Sequence, residues 1–412
     1  MNDLYIIIGN FIAYVLLTIF LWQKKSNAIS VIIAIVWSLS AFASVLFFAV
    51  FPSPFRDYSD LSIIALVFVF FCFTINLFPI AKLENPNIVI GNRMLLKALG
   101  WFICALGILP FLGNTSYFLT HLTSSLNTFG EHYGENFSVL SGFVATLGRY
   151  SNYLRLFAPC LLFLFLDDFK RNKLLCIGLL CCCLNAVIAN LNAGSRYIFV
   201  LDVLYMICVF ILFKKCLSES IVKKIKIIGI IILSILLVVF VSISTVKTSD
   251  NTQENAMEMT YSLYAGESFL NFSGSMWKNC QKTYGDNSFY IFKYILGEYP
   301  TELRNWSQLS SKSGIPANIF YTYIGDFYMD FGHIGALLIV LLITLFLYFV
   351  VKKANETRIF YYYIWIGFIL RVLVSGFTYW PYLNGCYEMI YTPIALSFIQ
   401  FLDDNPNDSF EV

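Results

Sequence analysis

The stretch His333-Ile-Gly-Ala-Leu-Leu-Ile-Val-Leu-Leu-Ile-Thr-Leu-Phe-Leu-Tyr-Phe-Val-Val351 contains no Asp, Glu, Lys or Arg. An α-helix rises about 1.5 Å per residue, so about 20 apolar residues cross the hydrocarbon core of a bilayer. Comparable runs lie at residues 4–22, 29–51, 61–81, 95–112, 150–166, 174–193, 197–213, 227–245, 359–379 and 387–402. The sequence therefore predicts an all-α, polytopic integral membrane protein with about eleven transmembrane helices.

The overall composition agrees with this prediction. Hydrophobic residues make up 58 % of the chain and charged residues 13 %, and the mean hydropathy is +0.72. Soluble domains average roughly 25 % charged residues. The formal net charge of +2 gives no support for a nucleic-acid partner, so membrane lipid is the expected surrounding.

Basic residues in the short connections predict how these helices are oriented, because Lys and Arg in short loops stay on the cytoplasmic side. They concentrate in alternate connections: Lys24 and Lys25; Lys82, Arg93 and Lys97; Lys170, Arg171 and Lys173; Lys214, Lys215, Lys223, Lys224 and Lys226; Lys352, Lys353 and Arg358. This alternation predicts an N-terminus outside the cytoplasm and an acidic C-terminal tail inside.

The same orientation predicts two long segments on the outer side of the membrane, near residues 113–149 and 246–332. The chain is expected to divide into eight helices over 1–245, a large outer loop over 246–332, and three helices with a short tail over 333–412. An outer loop of this length indicates a protein that holds a polar substrate at that face.

Aromatic residues are dense in the large outer loop, and their faces suit sugar rings, which are apolar on one side and hydroxylated at the edge. The candidates for contacting a glycan are Tyr321, Tyr323 and Tyr328. The alternative is the belt of tyrosine and tryptophan found at any membrane surface.

Arginines at membrane depth are the first candidates for chemistry, because burying an ion there is costly without a partner or a wet cavity. A guanidinium also presents a fork of donors that fits phosphate oxygens. Arg196, in the turn Asn192-Ala-Gly-Ser-Arg196, is the candidate catalytic arginine. The candidates for binding pyrophosphate or glycan are Arg56, Arg149, Arg155, Arg304 and Arg371. Snorkelling to lipid phosphates, or pairing with an acid, is the alternative for each.

Carboxylates on the outer side are the candidates for a general base. Asp326 and Asp330 lie four residues apart, a spacing that places both on one helical face. Asp326 and Glu267 are the candidate bases for a sugar hydroxyl. The alternative for the aspartate pair is that it caps or solvates the outer end of the ninth span.

Motifs for metal, nucleotide and serine chemistry are missing from the sequence. His121, His132 and His333 lack metal-ligand spacing, and no Walker loop, HExxH or GxSxG occurs. Most cysteines lie in apolar runs, where a thiol behaves as a small hydrophobe. Cys280 and Cys386 lie in loops, which leaves room for one disulfide. We predict no metal and no cofactor.

Three features together resemble the Wzy-type oligosaccharide repeat-unit polymerases of bacterial surface polysaccharide synthesis. They are the Gly194-Ser195-Arg196 turn between two central spans, the large outer loop before the last three spans, and the stretch Asn318-Ile-Phe-Tyr-Thr-Tyr-Ile-Gly-Asp-Phe-Tyr-Met-Asp-Phe-Gly-His-Ile-Gly335. The likeness in span pattern covers nearly the whole chain. One departure is that the spacing from Arg304 to Gly314 is one residue shorter than the arginine-X10-glycine spacing of some members.

The resemblance implies a metal-independent glycosyltransferase in the bacterial inner membrane that works on the periplasmic face. It would transfer a growing glycan from undecaprenyl pyrophosphate onto a newly flipped, lipid-linked repeat unit, building O-antigen or capsule-type polysaccharide. The resemblance implies outer-loop arginines as its working residues, with Arg196 at the matching position. It also implies a chain-length-regulating co-polymerase as a partner.

Three other functions stay open at this point. An O-antigen ligase uses the same lipid-linked donor but a lipid A–core acceptor, and the glycine-serine-arginine turn does not separate the two. A lipid-linked oligosaccharide flippase or other transporter is disfavoured by the long aromatic loop and by the lack of an internal repeat. A structural subunit without chemistry leaves Arg371 and Asp202 unexplained.

Overall fold

The computed structural model describes residues 2–49, 58, 60–84, 88–90, 92–121, 140–192, 196–230, 234, 265–301, 304–382 and 387–403. These residues form helices and no strand, apart from one isolated bridge between Val89 and Ile359. The helices are α1 Asn2–Gln23, α2 Ala28–Ala49, α3 Ile63–Ala81, α4 Arg93–His121, α5 Gly142–Tyr153, α6 Phe157–Leu166, α7 Phe169–Asn192, α8 Arg196–Phe213, α9 219–230, α10 265–279, α11 Tyr290–Ile295, α12 Trp306–Ser313, α13 Thr322–Thr357, α14 Phe360–Ser375 and α15 Glu388–Asp403.

Six of the described helices are long and apolar enough to cross a membrane. They are Asp3–Gln23, Ala28–Ala49, Ile63–Ala81, Arg93–Thr120, Phe169–Asn192 and Thr322–Thr357. The helices Phe157–Leu166 and Phe360–Ser375 are apolar but shorter. This confirms the prediction of an all-helical protein of membrane-spanning character. The predicted run 227–245 lies largely outside the described residues, and the number eleven stays a prediction.

Helix α13 is broken at Gly332, which has φ 68° and ψ −172°. This conformation is reached almost only by glycine, and a Cβ built at Gly332 would lie 2.9 Å from Cε of Lys282. The helix therefore consists of a segment over 322–331 and a long apolar segment over 333–357. The break adjoins the residue at which the sequence predicts the ninth span to begin.

The chain forms two compact units. Unit 1 comprises 1–84, 258–353 and 369–389, and unit 2 comprises 85–257, 354–368 and 390–412. The centre of unit 1 is aromatic: Trp37 stacks on Phe73 with ring centroids 4.1 Å apart, and its indole nitrogen donates to the carbonyl of Leu373 at 2.8 Å. Burial of such rings is the main source of packing energy in a helical core.

A buried polar clamp joins α3 to α13 within unit 1. The amide of Asn76 donates to the hydroxyl of Tyr323 at 2.6 Å, and the hydroxyl of Thr344 donates to the amide oxygen of Asn76 at 2.6 Å. These two bonds satisfy both polar ends of the buried Asn76 amide and help to fix the register of the two helices.

The two ends of unit 1 are distinguished by their contacts. At one end, which we name the basic end, Asn27 in the turn after Lys24 and Lys25 donates from its backbone to Ala81 at 3.2 Å and from its side chain to Leu83 at 2.7 Å. At the other end, the carboxylate of Asp3 accepts the amide hydrogens of residues 60 and 61 at 3.1 and 3.2 Å. The short connections that carry Lys24, Lys25 and Lys82 therefore lie together at one end.

Unit 2 is built around the packing of α4 on α7. Small residues permit the close approach: a Cβ at Gly178 would lie 2.6 Å from the sulfur of Cys104. The side chain of Asn114 donates to that of Asn185 at 2.9 Å deeper in the same interface. The apolar cysteines predicted from the sequence are thus packing residues, and Cys182 and Cys104 are both buried.

Candidate functional site

A polar layer, residues 280–301 and 304–331, caps the end of unit 1 that carries Asp3. Lys278, just before this layer, forms an ion pair with Asp60 and donates to its carbonyl at 2.6 Å. Tyr328 is stacked on Trp277 with centroids 5.1 Å apart, and its hydroxyl donates to the Trp277 carbonyl at 2.9 Å. The layer, which includes the first segment of α13, is therefore attached to α10 by specific contacts.

Asp330 organises the loop over residues 283–288. One carboxylate oxygen accepts from the hydroxyl of Thr283 at 2.5 Å and from the amide groups of residues 285 and 287 at 3.0 Å each. The other oxygen accepts from the amide of Ser288 at 2.6 Å. The side chain is fully buried. A carboxylate with this many donors acts as the anchor of a loop, because charge-assisted hydrogen bonds are the strong ones.

A chain of hydrogen bonds links Asp326 to Arg304 through Asn287. The amide of Asn287 donates to the carboxylate of Asp326 at 2.8 Å, and the guanidinium of Arg304 donates to the side-chain oxygen of Asn287. The second oxygen of Asp326 accepts the amide hydrogen of Trp380 at 2.6 Å. Asp326 therefore positions Asn287, and Asn287 in turn fixes one edge of the Arg304 guanidinium.

Arg304 is held on its other side by an aromatic ring. Its guanidinium carbon lies 3.9 Å from the centroid of the Trp306 ring, a cation–π contact. The side chain is only 5 % exposed. Stacking and the bond to Asn287 together hold the planar fork in one orientation, as bidentate recognition of an anion requires.

Arg304 lines a pocket of the polar layer that holds about 350 Å³ of open space, counting the solvent at its mouth. Without that solvent the interior is about 80 Å³, below the roughly 300–1,000 Å³ of whole small-molecule sites, so the pocket fits one group of a larger ligand. The pocket is lined by Asp286, Tyr290, Tyr299, Arg304, Asn305, Gln308, Leu309 and Lys312. Rings, amides and cations thus converge on one concave surface.

Asp286 holds two lysines beside this pocket. Lys293 donates to one oxygen at 2.6 Å and Lys312 to the other. Burial raises the pKa of Asp286, but the two ammonium groups and the hydroxyl of Tyr299 outweigh it and hold that pKa below its ordinary value. Burial likewise raises the pKa of Tyr299, and its hydrogen bond to Asp286 raises it further. Against the effect of burial, the pKa of Lys293 is raised in turn by its hydrogen bond to Asp286, so this carboxylate and this ammonium are both charged at neutral pH.

The spacing from Arg304 to Gly314 has a structural reason. Asn305 caps α12, accepting from the amide of Gln308 at 3.1 Å, and Gly314 ends the helix in the left-handed conformation with φ 72°. The arginine and the glycine therefore flank one short helix, which carries Lys312 to the pocket.

Other predicted site residues of unit 1 are buried away from this pocket. Tyr321 is 1 % exposed and its hydroxyl donates to the carbonyl of Pro316 at 2.8 Å, while Tyr323 belongs to the polar clamp. Glu267, on α10, is 2 % exposed and accepts from the hydroxyl of Tyr58 at 3.4 Å. Arg371 is buried on α14. Among the described residues of the predicted set, Arg304 and Asp326 are connected, through Asn287.

The remaining candidates belong to unit 2 or to undescribed parts of the chain. Arg149 is exposed on α5, and Arg155 is half-buried between α5 and α6. Arg196 begins α8, but its side chain lies outside the described residues, as do Arg56 and Cys386. Cys280 is a free thiol, and burial raises its pKa to about 12.

Sequence reasoning missed Asp286, Asn287, Lys293 and Lys312. The signal for the first two was present, because Tyr284-Gly-Asp-Asn-Ser288 is rich in turn-forming residues, and such turns often carry functional side chains. The two lysines gave no signal, since a lysine in a polar loop is usually a solvated charge. Comparison with known proteins adds no relative: no family model, curated protein or solved structure matches the chain.

Proposed function

We propose that this protein is a bacterial inner-membrane glycosyltransferase that polymerises oligosaccharide repeat units carried on undecaprenyl pyrophosphate. The observation that carries the proposal is the pocket of the polar layer. It combines a buried, oriented guanidinium on Arg304 with Lys312 and the rings of Tyr290 and Tyr299. Anionic groups and sugar rings are the chemistry that such a surface binds.

The arrangement of charges along unit 1 supports a site on the periplasmic side. The short connections with Lys24, Lys25 and Lys82 lie at the basic end, and the polar layer, which belongs to the long 246–332 segment that the positive-inside rule does not count, caps the opposite end. We propose about eleven spans, a periplasmic N-terminus and a cytoplasmic C-terminus on this basis.

The proposed reaction is a displacement at the anomeric carbon of the donor glycan. A hydroxyl of the acceptor repeat unit forms the new carbon–oxygen bond, and the bond to the pyrophosphate oxygen breaks. The departing oxygen keeps the electron pair and takes up the proton that the hydroxyl loses. Fixed guanidinium groups stabilise the charge that develops on the leaving group. Arg304 is the best-placed described arginine for an anionic substrate group, and Arg196 stays a candidate for the pyrophosphate.

Asp326 is better suited to positioning Asn287 than to proton transfer, because its two oxygens accept hydrogen bonds from Asn287 and from the backbone of Trp380.

The partners of the proposed enzyme are the lipid-linked donor and acceptor and a chain-length-regulating co-polymerase.

A strain that lacks the gene tests the proposal on a gel of its surface glycan. We expect the glycan acceptor to carry a single repeat unit, and we expect the ladder of longer chains to be absent. Loss of the single unit as well would overturn polymerisation in favour of ligation or flipping. An unchanged ladder would exclude all three. Complementation with the wild-type gene must restore the ladder.

A further inference from the structure

A groove between α3 and α13 opens near the basic end of unit 1. It holds about 570 Å³ of open space, counting the surroundings at its mouth, and its lining is almost wholly apolar. The residues that line it are Ile75, Phe78, Pro79, Lys82, Thr344, Leu345 and Tyr348. It lies on the side of the polar clamp away from the polar layer, because Thr344 belongs to the clamp and Lys82 to the basic end.

The mouth of the groove combines one cation with one aromatic ring. The ammonium of Lys82 lies 5.8 Å from the ring centroid of Tyr348. Both side chains are exposed, as are Phe78 and Leu345 further along the groove. An apolar channel that ends in a tyrosine and a lysine has the chemistry of a lipid at the membrane interface, with its chain inside and its phosphate at the edge.

Charge complementarity selects an anionic lipid. In the described part of unit 1, the charged residues at the basic end are Lys24, Lys25, Lys82, Glu84, Lys352 and Lys353. The lysines exceed the single acid, so the end of the groove carries a net positive charge. Basic clusters next to a membrane attract anionic headgroups and gain little from zwitterionic ones.

We propose that this groove binds an anionic phospholipid, with one acyl chain along Ile75, Phe78 and Leu345 and its phosphate paired with Lys82. The groove and the pocket of the polar layer are separate sites. The proposal therefore does not depend on the polymerase function.

Native mass spectrometry of the detergent-purified protein tests this site, with phosphatidylglycerol and phosphatidylcholine of identical acyl chains as probes. We expect phosphatidylglycerol to be retained more strongly than phosphatidylcholine. Lys82→Gln should weaken phosphatidylglycerol binding about tenfold, the loss of one charge-assisted contact. Leu345→Trp should weaken binding of both lipids, because it fills the groove without changing charge.

Lys24→Gln is the matched control, because Lys24 also lies over an aromatic ring, 6.0 Å from the centroid of Phe20, but does not line the groove. We expect this variant to bind like the wild type. If Lys24→Gln weakened phosphatidylglycerol binding as much as Lys82→Gln does, binding would depend on the overall charge of this end and not on the groove. If the protein retained the two lipids equally, the site would not be specific for anionic lipid. Stronger retention of undecaprenyl phosphate than of phosphatidylglycerol would overturn the assignment to phospholipid. Circular dichroism of each variant confirms that the helices remain folded.

Discussion

In the polar layer Arg304, Asp326 and Asp330 are buried and held by specific partners, whereas at the basic end of unit 1 Lys24 and Lys82 are exposed and each lies over an aromatic ring. Asp330 and Arg304 represent the first arrangement, and Lys24 and Lys82 the second. In the layer, geometry determines what a charge does, so a substitution that preserves charge but alters shape should be costly. At the basic end the charge of an exposed lysine, and not its exact shape, is expected to matter, so a substitution that preserves charge should be nearly silent.

The largest expected effect is on stability, at Asp330. Asp330→Asn removes the charge from an anchor that accepts hydrogen bonds from residues 283, 285, 287 and 288. We expect the free energy of unfolding to fall by about 3 kcal/mol. Several hydrogen-bond donors lose a charged acceptor, and the hydrogens of the new amide face other donors. Thermal unfolding in detergent measures it.

The control for Asp330→Asn is Asp60→Asn. The side chain of Asp60 is exposed. The backbone at Asp60 is left-handed, with φ 64°, and asparagine also tolerates this conformation. Its ion pair with Lys278 is a surface pair, so the expected change is under about 1 kcal/mol. Equal losses of unfolding free energy in the two variants would show that the buried carboxylate of Asp330 contributes no more to stability than the exposed one of Asp60.

Arg304→Lys should reduce glycan transfer by a factor of roughly ten to a hundred while leaving the charge in place. Lysine offers neither the fork that meets Asn287 nor the planar face that stacks on Trp306, and a charged hydrogen bond contributes about 1.5–3 kcal/mol. The assay uses purified protein and a repeat unit linked to lipid pyrophosphate. Melting temperatures recorded in parallel separate lost function from lost fold.

Arg93→Lys is the matched arginine control, because Arg93 forms a half-exposed ion pair with Asp168. Transfer by this variant should equal that of the wild type.

A sharper test of positioning is Asn287→Ala. Alone, this change should impair glycan transfer. Combined with Arg304→Lys it should reduce transfer little further, since both changes remove the same hydrogen bond between Arg304 and Asn287. Full additivity would mean that Asn287 does not act through Arg304.

Gly332→Ala should destabilise the protein by about 1–3 kcal/mol. The backbone at Gly332 is in a region that alanine rarely adopts, and the new methyl would press on Lys282. Gly9→Ala is the control, because nothing lies within 4 Å of a Cβ at Gly9. It lies within α1, and alanine favours a helix more than glycine does. A silent Gly332→Ala would mean that the break in α13 depends on other contacts.

The sequence predicted the helices better than the site, for a physical reason. A span such as 333–351 is specified by its own composition, because lipid requires internally bonded apolar helices. Asp326 and Asp330 lie four residues apart on the first segment of α13, but their different contacts depend on a loop that lies 39 residues from Asp326 and 47 from Asp330 in sequence. The meeting of Asp286 with Lys293 and Lys312 depends likewise on folding of the polar layer, and no local pattern encodes it.

The smallest expected effect is a pH dependence at Asp286, where lysine partners hold the pKa of the carboxylate below its ordinary value. A group whose pKa is depressed by folding stabilises the protein fully above its unfolded pKa of about 3.9, and that stability is lost as the pH falls through the folded pKa. We therefore expect Asp286→Asn to be less stable than wild type by a constant amount from pH 5 to pH 8, about 1 kcal/mol, because Lys312 is half-exposed. Below about pH 4 the difference should shrink. Denaturation of both proteins in detergent across this range measures it. A difference that grew on acidification would show that Asp286 is protonated in the folded protein, and its ion pairs would then be no part of the polar layer.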